Sequence, residues 1–457
     1  MHQKTIDFSH GPLAGPILRY SIPLMFTGFL QQFFNAVDVI LAGQLLEGGS
    51  NMVAAVGSTT ALTGLMINFF LGCSAGAAVV VSHAVGSRDA EQIRHSIHTS
   101  ILFSFLIGAL LTVAGIFLSA PLLRLMSTPQ SIIRLSTVYL QIYFTGMIPY
   151  MVYNFASAIL YSIGETKAPL YFLFLSGAVK IGLMFLFVSG LDFGITGLAL
   201  STALSQLVCA ALGILALMHR HDLYRLQLRH LRFHGATVKK VLKLGIPSGI
   251  QSTTFSISNV LIQTHTNSLD YLPGFVAGNA AAVSLINFAD AVTNAFYRAT
   301  ITFAGQSVGA GNHTRVKKIF FTASGLSTAV IAVISTLVIL FSNQLLGFYI
   351  TDSADAIHWG RVRLLFIFAP LFLQGLMDVT LGTLRGMGIT VSNTVASLVG
   401  ICGLRILWCL TVFQQFHTPN VLFLCYSVSW IITWIALLLI LRAAFKKHLP
   451  SQSLIHP

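Results

Sequence analysis

The chain has 457 residues, enough for two or three soluble domains, yet only 9% are charged and mean hydropathy is +0.80. Ordinary globular proteins carry roughly 25% charged residues, and so few charges cannot clothe a soluble surface of this size. The natural solvent is a bilayer, where a helix satisfies its own backbone and crosses with about 20 apolar residues. The formal charge of +13 then reads as cytoplasmic Lys and Arg, and no nucleic-acid partner is expected.

Taken in chain order, the apolar runs predict an all-α polytopic protein with spans near 16–43, 53–82, 96–118, 134–161, 168–190 and 194–218. Six more follow near 241–268, 275–306, 319–342, 356–384, 391–413 and 419–445. Residues 1–15 carry no signal-peptide pattern, so the first span is expected to direct insertion. The spans divide into an N-terminal six-helix lobe (1–218), a basic inter-lobe loop (219–240) and a C-terminal six-helix lobe with a short tail (241–457). With the N-terminus inside, 19 of the 26 Lys and Arg, Arg385 among them, flank the cytoplasmic face. Four flank the other face, Arg124, Arg134, Arg361 and Arg363, and three fall within spans. That bias places both termini in the cytoplasm. The basic loop serves as an orientation signal and a linker on the anionic leaflet.

The two halves echo each other. ILRYSIP (17–23) recurs as VLKLGIP (241–247), with Pro23 matching Pro247 and Asn35 matching Asn259 at an offset of 224. VGSRDAEQIR (85–94) recurs as VGAGNHTRVKK (308–318), and SIGETKAP (162–169) as GMGITVSN (386–393). A shared register across half the chain is an internal duplication of six helices. Six is even, so both copies enter from the same side, related by a pseudo-two-fold axis along the membrane normal with a cavity between them. Each proline is expected in the first turns of its helix, where a missing N–H costs little or bends the helix.

These phrases, with SIPLMFTGFLQQFFNAVDVILAG (21–43) and LRGMGIT (384–390), resemble the bacterial multidrug and toxic compound extrusion (MATE) family over about 15–445. The resemblance implies two six-helix lobes that rock between inward and outward openings in the plasma (inner) membrane. It implies export of small organic, often cationic, drug-like compounds by a monomer in exchange for inward H⁺ or Na⁺, without a cofactor. A related flippase for a lipid-linked oligosaccharide or peptidoglycan precursor is the alternative. A membrane-embedded enzyme lacks a catalytic constellation, and duplicated lobes suit alternating access better than a fixed pore.

Ionisable groups inside spans mark pathways or buried pairs. Six are present: Asp38, Lys180, Asp290, Arg298, Asp378 and Arg405. Three acids and three bases cancel, so buried ion pairing competes with a role in transport. Gln31 and Asn35 share a helix face with Asp38, which the resemblance makes the coupling acid of the N-terminal lobe. Asn154 matches Asp378 across the repeat. Asn287, Asp290, Asn294 and Arg298 form a polar stripe, and Arg405 is offered as a partner for Asp290 or Asp378. Phe33, Phe34, Tyr139, Tyr143, Tyr150 and Tyr153 supply aromatic faces for a flat cation or plain packing.

The chain departs from sodium-type members of the family in helix five. They resemble one another there in an Asn and, four residues on, an Asp; here the positions read Lys180 and Met184, while the helix-six hydroxyl, Thr202, remains. A lysine beside Asp38 would take the place of a monovalent cation and favour the ionised carboxylate. The expected coupling ion is therefore H⁺ rather than Na⁺. A Lys180 that snorkels to water is the competing reading.

Several motifs are discounted. GCSAG (72–76) matches a nucleophile elbow, but in a membrane helix it reads as G-x-x-x-G packing, as do GQSVG (305–309) and GTLRG (382–386). The five cysteines lie singly in apolar runs, the histidines show no ligand spacing, and no phosphate-binding loop is present. No metal and no nucleotide energy source are expected. The NHT sequon (312–314) falls on the cytoplasmic side.

Overall fold

The computed structural model describes residues 11–45, 49–126, 128–220, 223–350 and 353–448. Parts of the N-terminal tail, the basic loop (His221 and Asp222) and the C-terminal tail lie outside them. Twelve helical segments follow in chain order, one for each expected span. Helix one is Ala14–Leu45, helix two Gly49–Ser87 and helix three Ala90–Leu125. Helix four is broken into Gln130–Thr145 and Met147–Ser162. Helix five, Lys167–Met184, runs on as a π-helical turn, Phe185–Gly190, and helix six is Gly194–Met218.

The second half repeats the plan. Helix seven is Gly235–Asn267, helix eight Phe275–Gly309 and helix nine His313–Leu340. Helix ten is broken into Ala354–Phe368 and Leu371–Gly386, bent by 44°. Helix eleven starts at Val391–Ser397, passes through a π-helical turn and continues as Leu404–Leu410. Helix twelve is Pro419–His448. Among the described residues, eight of these are long and apolar enough to cross a membrane, and helix ten makes nine if its bent pair is one span. Helices one, four and seven miss that measure. Helix four is split at Gly146, and the other two carry polar runs at 31–38 and 251–259.

The duplication is written into the backbone. Gly146, where helix four breaks, matches Pro370, where helix ten breaks. Arg88 and Gly311 both turn left-handed, with φ of 57° and 71°. The next residue of each copy, Asp89 or Asn312, then caps helix three or nine: Asp89 accepts from the backbone N–H of Glu91 at 2.9 Å, and Asn312 from that of Arg315 at 3.1 Å. Gly164 and Gly388 also take matching positive φ, 90° and 78°.

Two boundaries differ from the sequence reading. Helix one and helix seven begin earlier than expected, at Ala14 and Gly235, so Lys239 and Lys240 belong to helix seven and not to the loop. Pro23 and Pro247 therefore sit several turns inside their helices, where each removes a backbone hydrogen bond. By compactness the described chain forms two units, one of Phe29–Gly249 and one of residues up to Gly28 with Ile250 onward. Each helix changes unit within two turns after its proline.

Inside the first unit a core of Ile93, Ile97, Ile101, Ile159, Leu160 and Leu217 joins helices three, four and six. Leu226 of the loop is buried in it, and Gln227 donates its N–H to His98 Nε2 at 3.1 Å. In the second unit Ile262, Phe275, Phe413, Leu422 and Phe423 form a comparable core. All five cysteines are buried and unpaired.

GCSAG is a packing surface. A Cβ on Gly72 would lie 2.4 Å from the Gly249 backbone, and one on Gly76 would lie 2.5 Å from that of Gly245. Helices two and seven thus meet backbone to backbone, which only glycine allows. A Gly72→Val variant should lose about 1–3 kcal/mol, the usual scale of overpacking. It should leave the monodisperse peak at a lower temperature in detergent, whereas Gly182→Ala, with nothing within 4 Å of its Cβ, should match the wild type.

Candidate functional site

Each unit gathers its own polar groups. In the first, helix one presents Asp38 and helix five presents Lys180, whose ammonium donates to the Asp38 carboxylate in a salt bridge. Lys180 is buried and Asp38 half-buried. An ion pair at this depth must be closely matched, because removing either partner strands a charge. Phe34 lies over Gly177, so closely that a Cβ there would overlap its ring, and this lets helix five approach helix one three residues before Lys180.

Below the pair the environment is apolar. Met184, one turn on from Lys180, is buried with Val188 and Leu198 against Leu41, Val56 and Tyr139. Met184 therefore places an apolar side chain, not a charge, one turn from Lys180. Tyr139 and Tyr143 stack at 6.1 Å between ring centres and lie within electrostatic reach of Asp38. Thr202 is buried and gives its hydroxyl to the Leu198 carbonyl at 3.1 Å, within its own helix. Asn154 likewise donates to the Tyr150 carbonyl at 2.8 Å, and Tyr153 donates to that of Pro169 at 3.2 Å. Gln31, Asn35 and Phe33 are exposed.

In the second unit a cavity of about 380 Å³ is lined by Asn287, Asp290, Asn294, Asp378 and Arg405. Asn287, Asp290 and Asn294 of the stripe on helix eight are among its lining residues. Arg298 does not line the cavity; it is exposed and donates from Nε to Asn294 Oδ1 at 2.8 Å. One further turn along helix eight carries its long side chain past the cavity rim.

The acids here are held by neutral groups. Asp290 accepts from Gln374 Nε2 at 2.9 Å, and Asp378 faces the Thr293 hydroxyl. Arg405 donates to the Ser429 hydroxyl at 3.1 Å and rests 4.3 Å over the Tyr426 ring. Among the described residues Arg405 makes no direct ion pair with Asp290 or Asp378, though it lies within electrostatic reach of Asp290. The hydroxyl and the aromatic face satisfy the guanidinium instead. Of the three acids within spans, Asp38 alone pairs with a base among the described residues.

Three participants were not singled out by the sequence reading. Gln374 precedes Asp378 by one helical turn, so the i, i+4 relation was the available signal. Arg363 had been placed on the outer flank, yet it is buried, lines the same cavity, donates to Asn279 and lies 5.3 Å from the Phe423 ring centre. Arg385 had been counted on the cytoplasmic flank, yet it is buried, donates to Gln251 at 2.5 Å and bonds the Tyr297 hydroxyl. Arg363 lies inside the span expected at 356–384 and Arg385 one residue past its end, so counting both as flanking charges hid their burial.

The chain was compared with known proteins. The MatE family model matches residues 23–188 and 247–411, one stretch on each copy of the repeat, starting at its proline. The probable multidrug resistance protein YpnP of Bacillus subtilis is 30% identical over 405 residues, covering 88% of this chain and 89% of its own. YoeA of the same species, also a probable multidrug resistance protein, is 27% identical over 397 residues, covering 85% and 84%. A FAD transporter of Shewanella oneidensis is 24% identical over 355 residues, covering 75% and 76%. The structure of an outward-facing multidrug resistance MATE transporter of the MOP superfamily aligns with a TM-score of 0.89 over 98% of this chain and 99% of that one, at 19% identity, a likeness of fold. With two matched copies, twelve helices and relatives along most of its length, the chain belongs to the MATE family of multidrug efflux transporters.

Proposed function

We propose that this multi-pass transporter is a secondary antiporter of the plasma membrane that exports organic cations in exchange for inward H⁺. The observation that carries the reading is the contrast between the acids. Asp290 and Asp378 line a cavity with no base in ion-pair contact among the described residues, whereas Lys180 already occupies Asp38. An unpaired carboxylate in a cavity can hold a cationic solute when ionised and release it when protonated. One group therefore serves the solute and the proton in turn. Both termini sit in the cytoplasm in this scheme, and the working unit is the monomer. Small molecules are the partners, with membrane lipid around them.

Lys180 supports H⁺ over Na⁺. Its ammonium stands where a bound cation would neutralise Asp38, and Met184 withholds a second carboxylate. A solute bearing an anionic group is the second reading. It is favoured by Arg363 and Arg405 on the cavity wall and by the FAD transporter among the relatives. A lipid-linked precursor, whose pyrophosphate would need such bases, belongs to the same class.

Two experiments test the first reading. In proteoliposomes with an imposed pH gradient, Asp290→Asn and Asp378→Asn should each cut ethidium efflux by about tenfold or more, the cost of one lost charge contact on the scale of 1.4 kcal/mol. Normal efflux and proton flux in both variants would remove the cavity from the mechanism. The double variant Lys180→Asn with Met184→Asp should acquire Na⁺-stimulated transport, since it restores an open cation site beside Asp38. An ion dependence identical to the wild type would show that Lys180 stands in for nothing.

A further inference from the structure

A groove of about 810 Å³ runs along the first unit between helix three and the start of helix seven. Phe103 and Leu106 form one wall, Leu242, Ile246 and Pro247 the other, and Phe233 of the basic loop stands at its end. Leu106, Ile246 and Phe233 are all exposed. The lining is almost wholly apolar apart from two side chains, Lys239 and Lys243, one helical turn apart at the rim. Both lysines are exposed, and neither has a carboxylate partner among the described residues.

The end of the groove is built, not loose. Thr99 of helix three donates to the Arg232 carbonyl at 3.4 Å and accepts from the His234 N–H at 3.4 Å. The His95 and His234 rings stack at 3.5 Å. The residues on both sides of Phe233 are therefore tied to helix three, which holds the backbone that carries this phenyl ring. Pro247 marks the other end.

We propose that this groove binds one anionic phospholipid of the cytoplasmic leaflet. The phosphate sits between Lys239 and Lys243, and one acyl chain lies along Phe103, Leu106, Leu242 and Ile246. Charge complementarity selects the occupant: two unpaired ammonium groups face the groove, and no acid lines it. Basic clefts between membrane helices at the cytoplasmic surface recognise anionic headgroups in this way. A zwitterionic lipid would bring its own cation to the lysine pair, and a detergent would bring no phosphate. The site lies within the first unit, shares no lining residue with the cavity of Asp290 and Asp378, and does not depend on which ion drives the exchange.

The test is native mass spectrometry of the full chain, released from mild detergent with equal amounts of phosphatidylglycerol and phosphatidylcholine of matched acyl chains. The wild type should retain phosphatidylglycerol with a preference of roughly tenfold or more, the effect of two lysines at a bilayer surface. Lys239→Gln with Lys243→Gln should bring the two lipids to parity, while Lys317→Gln with Lys318→Gln, an exposed pair that does not line the groove, should keep the preference. Leu106→Trp with Ile246→Trp fills the groove with both lysines intact and should lower retention. Equal retention of the two lipids by the wild type overturns the proposal. So does a preference that survives loss of the lysine pair, one that disappears equally in the control pair, or unchanged retention in the filled groove.

Discussion

Inside hydrocarbon no water is present to satisfy a backbone N–H or C=O, and this constraint governs the rest of the molecule. It makes every span a helix and makes each interruption costly. The interruptions are few and come in pairs. Gly146 and Pro370 break the fourth helix of each copy, and π-helical turns loosen the fifth helix of each. Between these points, close approach depends on small residues. Gly72 and Gly76 on Gly245 and Gly249 in the first unit, and Gly382 on the Tyr297 carbonyl in the second, bring backbones together without help from hydrophobic burial. The charged side chains are tolerated because this scaffold supplies each with a partner or a polar lining.

The two copies solve the problem of intramembrane charge differently. The first neutralises its acid internally, with Lys180 on Asp38, and backs the pair with a hydrocarbon cluster around Met184. In the second no acid within a span is in direct ion-pair contact with a base among the described residues, although Arg405 lies within electrostatic reach of Asp290. Gln374 and Thr293 attend the carboxylates, while Tyr426, Ser429, Asn279 and Phe423 attend the guanidiniums. One duplicated frame thus holds a closed electrostatic circuit in one half and an open one in the other.

Much of the fold was legible because it rests on local patterns. Spans appear as apolar runs and the repeat appears as shared phrases, while the matching caps at Asp89 and Asn312 came to light in the structure. The Asp38–Lys180 pair was also readable, since a lysine deep in helix five has few alternatives to a nearby acid. What escaped notice depends on helix ends and on orientation about the helix axis. Arg363 and Arg385 count as flanking charges by position, yet both lie within helices and are buried. Arg405 carries a charge that invites an acid, yet a tyrosine face and a serine satisfy it, and neither stands out in the sequence.

The exchange near the two prolines governs where the chain could be divided. The opening stretch of helix one belongs to the compact body made by the later half, and the opening stretch of helix seven to that made by the earlier half. A cut in the basic loop would therefore leave each fragment with an opening helical stretch that is assigned to the compact body of the other fragment.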